Sequence, residues 1–246
     1  MRRTRMTLRA LIFDVDGTLA ETEEAHRSAF NAAFVQAGLD WFWSVSLYTE
    51  LLRVTGGKER IREYARRCVP EWLQLPDVDA RIRALHARKT ALYAAAVRAG
   101  AVQLRPGVRR LIDECHARRV RMAIATTTSE ANVRELLDGC LGADPFDCIV
   151  AGDAVAAKKP APDVYVAVLK RLDLSASACL AIEDSAAGLA AARGAGIATL
   201  VTPSAYTRDH DFNGALAVVP SLEPDIHFDV LARWHAGGTS PGAFPS

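Results

Sequence analysis

The segment Ala10–Phe13 (ALIF) is a short, uninterrupted apolar run that ends abruptly in acid at Asp14 and Asp16. A run of that length predicts a strand buried on both faces, delivering Asp14 to its C-terminal end. Over residues 22–37 the period changes. Ala25, Ala29, Ala33 and Phe34 recur on one face while Glu23, Glu24 and Arg27 stay polar, which predicts a helix stopped by Gly38. From Trp41 to about Ala99 the pattern remains helical, with breaks near Gly56-Gly57, Pro70 and Pro76 and no alternating stretch. Beyond Arg105-Pro106-Gly107, helices and apolar strands take turns. The predicted pairs are helix 107–118 with strand 120–125, helix 130–141 with strand 148–151, helix 162–172 with strand 179–182, and helix 185–193 with strand 197–201. A last short strand is expected over 215–219. This alternation predicts an α/β protein with a parallel sheet covered on both faces. The first strand belongs to that sheet, so the expected organisation is a core from residues 1–19 and 101–246 and an inserted helical domain over 20–100. The Gly/Pro/Ser-rich end, 237–246, reads as a loose tail.

Composition narrows the picture by exclusion. The chain has 246 residues, 50% apolar and 24% charged, which excludes a disordered or low-complexity chain and allows a large core. A net charge of +1 gives no field to attract nucleic acid or an anionic membrane, so any anion recognition must be local. Five cysteines, at 68, 115, 140, 148 and 179, are odd in number and form no CxxC pair. They read as reduced thiols of a cytoplasmic protein. The basic start and short apolar run mimic a signal peptide, but Asp14 and Asp16 cut the run too short; Met6 is an alternative start. The most apolar later window, 174–201, contains Glu183, Asp184 and Arg193 and cannot span a membrane.

Ligands of open parallel sheets bind beyond the carboxyl ends of the strands. Those ends carry Asp14 and Asp16, then Thr126, Thr127, Thr128 and Ser129, then Lys158-Lys159-Pro160, then Glu183-Asp184. Singly, each has a plain structural explanation: a turn acid before Gly17, an N-cap cluster, a solvated lysine pair, a capping pair at a helix start. Ser129 suits the N-cap, whereas Thr126, at the strand end, suits an anion. Five lysines stand against twenty-five arginines, so an ammonium here suggests a site needing a compact point charge. Taken together, four carboxylates converge only around a cation, because like charges a few ångströms apart repel strongly. Mg²⁺ meets that need with one or two carboxylates, water and a phosphate. Lys and Thr are then left to hold anionic oxygens. Acids, cation, ammonium and hydroxyls describe phosphoryl transfer, in which one ionised acid attacks and its neighbour shuttles the proton.

On these residues the chain resembles the haloacid dehalogenase superfamily of phosphohydrolases. DVDGT at Asp14 is similar to its first motif, Thr126 to its second, Lys159 directly before Pro160 to its third, and Glu183-Asp184 to its fourth, in order, over residues 8 to about 220. The resemblance implies a Rossmann-like core with an inserted helical cap, Mg²⁺ as cofactor and an aspartyl-phosphate intermediate. Asp14 would be the nucleophile. Asp16 would be the acid and then the base, with its backbone carbonyl on the metal. Asp14, Glu183 and Asp184 would be metal ligands, and Thr126, Thr127 and Lys159 would hold the phosphate. True dehalogenases of the superfamily lack the second acid and need no metal, so Asp16 argues against dehalogenation.

More narrowly, the chain resembles the beta-phosphoglucomutase-like branch and, within it, the CbbY family of Rubisco operons. The carrying stretches are DVDGTLAETEEAHRSAF from Asp14, GLDWFW from Gly38 and VTGGKERI from Val54. That implies a small sugar phosphate as partner and removal of the 1-phosphate of xylulose-1,5-bisphosphate. A bisphosphate needs a second anion site. Gly56-Gly57-Lys58-Glu59-Arg60 offers backbone N–H groups at a helix start and two cations. Lys89, Glu21, His26 and Tyr48 are further candidates for substrate contact from the cap, while Trp41-Phe42-Trp43 reads more readily as cap core. The rival readings are a mutase that returns the phosphate to a sugar hydroxyl, a phosphatase of phosphoglycolate or other small monophosphates, and a non-enzymatic module. The last would carry broken motifs, and all four are intact.

Overall fold

A computed structural model describes residues 7–142 and 144–237. The alternative start at Met6 and the tail beyond residue 237 lie outside the described residues. Six strands form one parallel sheet: β1 (Ala10–Phe13), β2 (Arg121–Ala125), β3 (Cys148–Val150), β4 (Cys179–Glu183), β5 (Ala198–Val201) and β6 (Ala217–Val218). Their spatial order is β3-β2-β1-β4-β5-β6. Phe13, the last residue of β1, is level with Ile124 of β2 and Ile182 of β4. The order reverses between β1 and β4, and that switch point brings the acidic ends of both strands together.

Between β1 and β2 lie α1 (Glu23–Gln36), α2 (Val45–Leu51), α3 (Gly57–Cys68), a 3-10 turn (Pro70–Gln74) and α4 (Val78–Arg98). The sheet is covered by α5 (Val108–Arg118), α6 (Glu130–Cys140), α7 (Asp163–Leu172), α8 (Ala186–Gly194) and α9 (Phe228–His235). The predicted elements are present with ends shifted by one or two residues, as fraying ends allow. Helix α9 is not among those the pattern predicts, although Phe228, Leu231, Trp234 and His235 recur at helical spacing and are buried.

Strand alternation sorts the core into two layers. Leu11, Phe13, Leu180 and Ile182 pack with α5, α6 and α9 on one face. Ala10, Ile12, Cys179 and Ala181 pack with α7 and α8 on the other. A third hydrophobic cluster belongs to the inserted helices, built on Phe30, Phe34, Trp41, Trp43, Tyr48 and Tyr64. Trp41 and Trp43 are both buried, while Phe42 between them is 68% exposed. Asn31 fixes Trp43 by accepting its N–H at 2.8 Å and donating to its carbonyl at 3.0 Å. The Trp43 ring lies 4.5 Å from Phe30 and 5.0 Å from Phe34, a tilted and edge-on aromatic core.

The two chain crossings into the insertion run side by side. Ala20 bridges Leu104 in antiparallel fashion, Arg105 N–H donates to Leu19 O at 2.9 Å, and Glu21 N–H donates to Gln103 O at 3.4 Å. All five cysteines are free thiols, and among the described residues no helix is long and apolar enough to cross a membrane.

Candidate active site

Asp14 is the first residue past β1, and its N–H extends the ladder by donating to Ile182 O at 3.0 Å. Its side chain meets Lys159, whose Nζ donates to Asp14 Oδ1 at 2.6 Å, to Glu183 Oε1 at 2.5 Å and to Ala125 O at 2.9 Å. All three ammonium protons are thus used. Tyr165 OH also donates to Glu183 Oε1, at 2.5 Å. Asp14, Glu183 and Asp184 present carboxylate oxygens within 4.8 Å of one another, all on buried residues. Two glycines make the room. Gly17 sits at φ +81°, and a Cβ there would run into the Asp184 carboxylate. One at Gly188 would run into that of Glu183.

One ammonium does not balance three buried carboxylates. Burial raises Asp14, against the pull of Lys159 and with the help of Glu183 and Asp16. Burial, Asp14 and Glu183 likewise push Asp184 well above the carboxylate range. Burial works to lower Lys159, but Asp14 and Glu183 outweigh it and hold the ammonium charged. Carboxyls that resist ionisation for want of positive charge, with hard oxygen donors at ligating separation, fit a divalent cation such as Mg²⁺.

Asp16 turns the other way, into the insertion. Its Oδ1 accepts from Thr22 Oγ1 at 2.7 Å and lies 3.0 Å from His26 Nε2. Lys89 Nζ is 2.7 Å from His26 Nδ1. With the ammonium donating to Nδ1, the neutral ring carries its proton on Nε2 and donates it to Asp16. Tyr93 stacks on the imidazole at 3.9 Å. Burial works to raise Asp16, but His26, Thr22 and Lys89 outweigh it and hold the carboxyl down at about 2. Burial lowers Lys89 to about 8, against the pull of Asp16. Lys89 is 4% exposed, so it is no solvated helix lysine.

Thr126 is buried at the end of β2, where its Oγ1 accepts from Thr128 N–H at 3.2 Å; Thr127 beside it is half-buried. Ser129 caps α6 by accepting from Asn132 N–H. Asp14, Thr126, Lys159, Glu183 and Asp184 therefore cluster at the strand ends, with Asp16, His26 and Lys89 alongside. The remaining candidates have other neighbours, although Arg60 is close enough to Lys89, and Asp16 to Tyr48, to act electrostatically. Glu21 pairs with Arg105 at 2.9 Å. Tyr48 is fully buried in the insertion's core and donates to Glu23 Oε2 at 2.8 Å. Arg60 donates to Leu51 O at 3.2 Å, Val54 O at 3.4 Å and Tyr48 OH at 3.2 Å. Lys58 is exposed on the first turn of α3, beside Glu59, which pairs with Lys158 at 3.2 Å.

The motif reading did not single out Thr22, Tyr165, Arg105 or Thr207. Arg105 donates to Gly17 O, to Thr202 O and to Pro203 O, joining the acidic loop to the segment after β5. Its place before Pro106-Gly107, where the chain re-enters the core, is the one signal that marked it.

Comparison with known proteins adds the family. The model of the haloacid dehalogenase-like hydrolases matches residues 8–196. The plasmid CbbY protein of Cupriavidus necator is 55% identical over 218 residues, 87% of this chain and 86% of that protein. CbbY of Rhodobacter capsulatus is 52% identical over 88% of this chain and 95% of its own length. A crystal structure of a CbbY variant from Rhodobacter sphaeroides in complex with xylulose-1,5-bisphosphate superimposes with a TM-score of 0.80 at 45% identity, covering 87% of this chain and 94% of that one.

Proposed function

The chain belongs to the haloacid dehalogenase-like hydrolase family, and from that premise we propose that it is a Mg²⁺-dependent sugar-phosphate phosphatase that removes the 1-phosphate of xylulose-1,5-bisphosphate through a phosphorylated Asp14. The observation that carries this reading is the convergence of Asp14, Lys159, Glu183 and Asp184 at the switch point, with a second acid, Asp16, two residues on. The sugar itself is inferred from the CbbY relative bound to xylulose-1,5-bisphosphate.

Asp14, Glu183, Asp184 and the Asp16 carbonyl would hold the cation. When bound, Mg²⁺ neutralises charge on the phosphoryl oxygens and on the carboxylates. Lys159 Nζ and the Thr126 and Thr127 hydroxyls orient the phosphoryl group. An Asp14 oxygen attacks phosphorus, the bond from phosphorus to the sugar oxygen breaks, and Asp16 gives that oxygen its proton. Asp16 then takes a proton from water, which displaces phosphate from Asp14. His26, Thr22 and Lys89 favour the ionised Asp16 that the second step needs. For the first step the carboxyl must turn from this cluster towards the leaving oxygen, where, away from His26, Thr22 and Lys89, it can keep the proton taken from water in the preceding turnover and give it up. Residues 20–100 act as the cap over a core of 1–19 and 101–246, in the cytoplasm. The cap would supply Glu21 and His26 near the sugar, and Lys58, Arg60 and Tyr48 for the distal phosphate, of which Glu21, Arg60 and Tyr48 must first leave the partners they hold here.

The test is phosphate release from sugar mono- and bisphosphates with product identification. Xylulose-1,5-bisphosphate should turn over fastest, giving inorganic phosphate and xylulose 5-phosphate. EDTA should stop the reaction and Mg²⁺ restore it, with Asp184→Ala raising the Mg²⁺ required. Full activity in EDTA removes the metal from the mechanism, and an isomeric sugar phosphate without free phosphate identifies a mutase.

A second experiment addresses the distal phosphate. Lys58→Ala should lower kcat/KM for the bisphosphate about ten- to a hundredfold, the range for a lost charge-assisted contact, and spare p-nitrophenyl phosphate. Part of the loss should fall on kcat, because remote binding energy also drives closure. Arg60→Ala should additionally disturb the 51–54 turn that its guanidinium holds. Equal losses on both substrates would assign Lys58 to the fold.

A further inference from the structure

The segment after β5 faces two ways within consecutive residues. Thr202 N–H donates to Glu183 O at 2.8 Å, and Arg105 holds the carbonyls of Thr202 and Pro203. The chain then closes a tight turn. Ser204 N–H donates to Thr207 Oγ1 at 2.9 Å, and Thr207 N–H donates back to Ser204 O at 3.2 Å. Both side chains are buried. Thr207 Oγ1 donates inward to Asp184 Oδ2 at 3.2 Å, and the Ser204 hydroxyl, 3.0 Å from Thr207 Oγ1, is a second donor to the same carboxylate. One residue earlier, Tyr206 points outward to the inserted helices. Its hydroxyl donates to Glu24 Oε2 at 2.9 Å, and its ring packs against the insertion's hydrophobic cluster, edge-on to Tyr48 at 5.9 Å. Glu24 is itself gripped by Arg27, whose Nη1 donates to Trp43 O at 2.8 Å.

A carboxylate in a cluster short of positive charge depends on its hydrogen-bond donors for orientation. Here such a donor is the neighbour in sequence of the residue that docks on the insertion. We propose that Tyr206 and Thr207 are positioning residues, and that the Ser204–Thr207 turn couples the seating of helices 23–98 on the sheet to the orientation of Asp184, and hence to divalent-cation binding. Any such coupling is reciprocal: a bound cation favours the seated insertion as much as seating favours the cation. The inference rests on the reading of Asp14, Glu183 and Asp184 as a cation site.

Calorimetric titration of Mg²⁺ into the full chain tests it without turnover. Tyr206→Phe, which touches no carboxylate of the cluster, should weaken Mg²⁺ binding about three- to tenfold, the loss of one hydrogen bond's worth of coupling. Glu24→Gln, which weakens the same contact from the other side, should reproduce that loss. Thr207→Val should weaken binding at least as much, and Thr207→Ser, which keeps the hydroxyl, should stay within about twofold of the parent. The double variant Tyr206→Phe/Thr207→Val should bind no worse than Thr207→Val alone, since the first change acts through the second residue. Melting curves without Mg²⁺ report separately on folding. Unchanged Mg²⁺ affinity in both Tyr206→Phe and Glu24→Gln overturns the coupling, as do losses that multiply in the double variant. No Mg²⁺ uptake by the parent chain overturns the cation site itself, and the inference with it.

Discussion

Replacing Asp14 with Asn is expected to abolish phosphate release while leaving the protein folded. The amide is nearly isosteric but cannot attack phosphorus. Phosphate-ester hydrolysis is among the slowest uncatalysed reactions, so losing the nucleophile should lower kcat on the order of 10⁴-fold or more. The fold should not suffer, because the substitution removes one negative charge from a buried cluster that already holds Glu183 and Asp184. Lys159 keeps Glu183 as its partner at 2.5 Å. The melting temperature in EDTA should therefore equal or exceed that of the parent chain. Activity within tenfold of the parent would remove Asp14 from the role of nucleophile.

Lys159→Met is expected to damage both stability and chemistry. Lys159 is the ammonium that both Asp14 and the fully buried Glu183 share. Breaking a buried ion pair by deleting one partner costs about 3–5 kcal/mol, because the other charge stays behind unpaired. For a chain of this size that corresponds to a melting temperature lower by roughly 10 °C, to be read by calorimetry in EDTA. The phosphoryl group also loses a cationic donor, which should lower kcat by ~10²–10³-fold at saturating Mg²⁺. A melting temperature unchanged in EDTA would mean that the contacts of Lys159 to Asp14 and Glu183 do not stabilise the resting protein.

The central site was legible because its chemistry sits where strand patterning ends. ALIF breaking into Asp14, the strand ending at Thr126 and CLAIE ending in Glu183 each mark a carboxyl end on their own. A parallel sheet then aligns those ends without further information. The cap candidates were less legible. Tyr48, Arg60 and Glu21 are polar residues near a motif, but whether each turns to a substrate or to a neighbour depends on packing. Tyr48 and Arg60 are spent on each other and on the loops around them, and Glu21 on Arg105. Lys89 lies sixty-three positions from His26, and nothing local to α4 distinguishes it from a solvated lysine; only the packing of α4 on α1 joins the two. The Ser204–Thr207 turn carries no signature at all, since its role comes from what lies on either side of it.

The paired crossings at Ala20 and Leu104 have a consequence for how such a protein can change over time. The chain leaves the sheet and returns to it at one place, through two hydrogen-bonded segments. To the sheet, everything between them is a hairpin loop, and the entropy of closing a loop grows only slowly with its length. Helices can therefore be lengthened, replaced or exchanged whole in that segment without disturbing the register of β1 against β2 and β4. The register of the sheet and the length of the inserted helices can in this way vary separately, whereas the Asp16 contacts to Thr22 and His26 and the Tyr206 contact to Glu24 still tie the insertion to the strand ends.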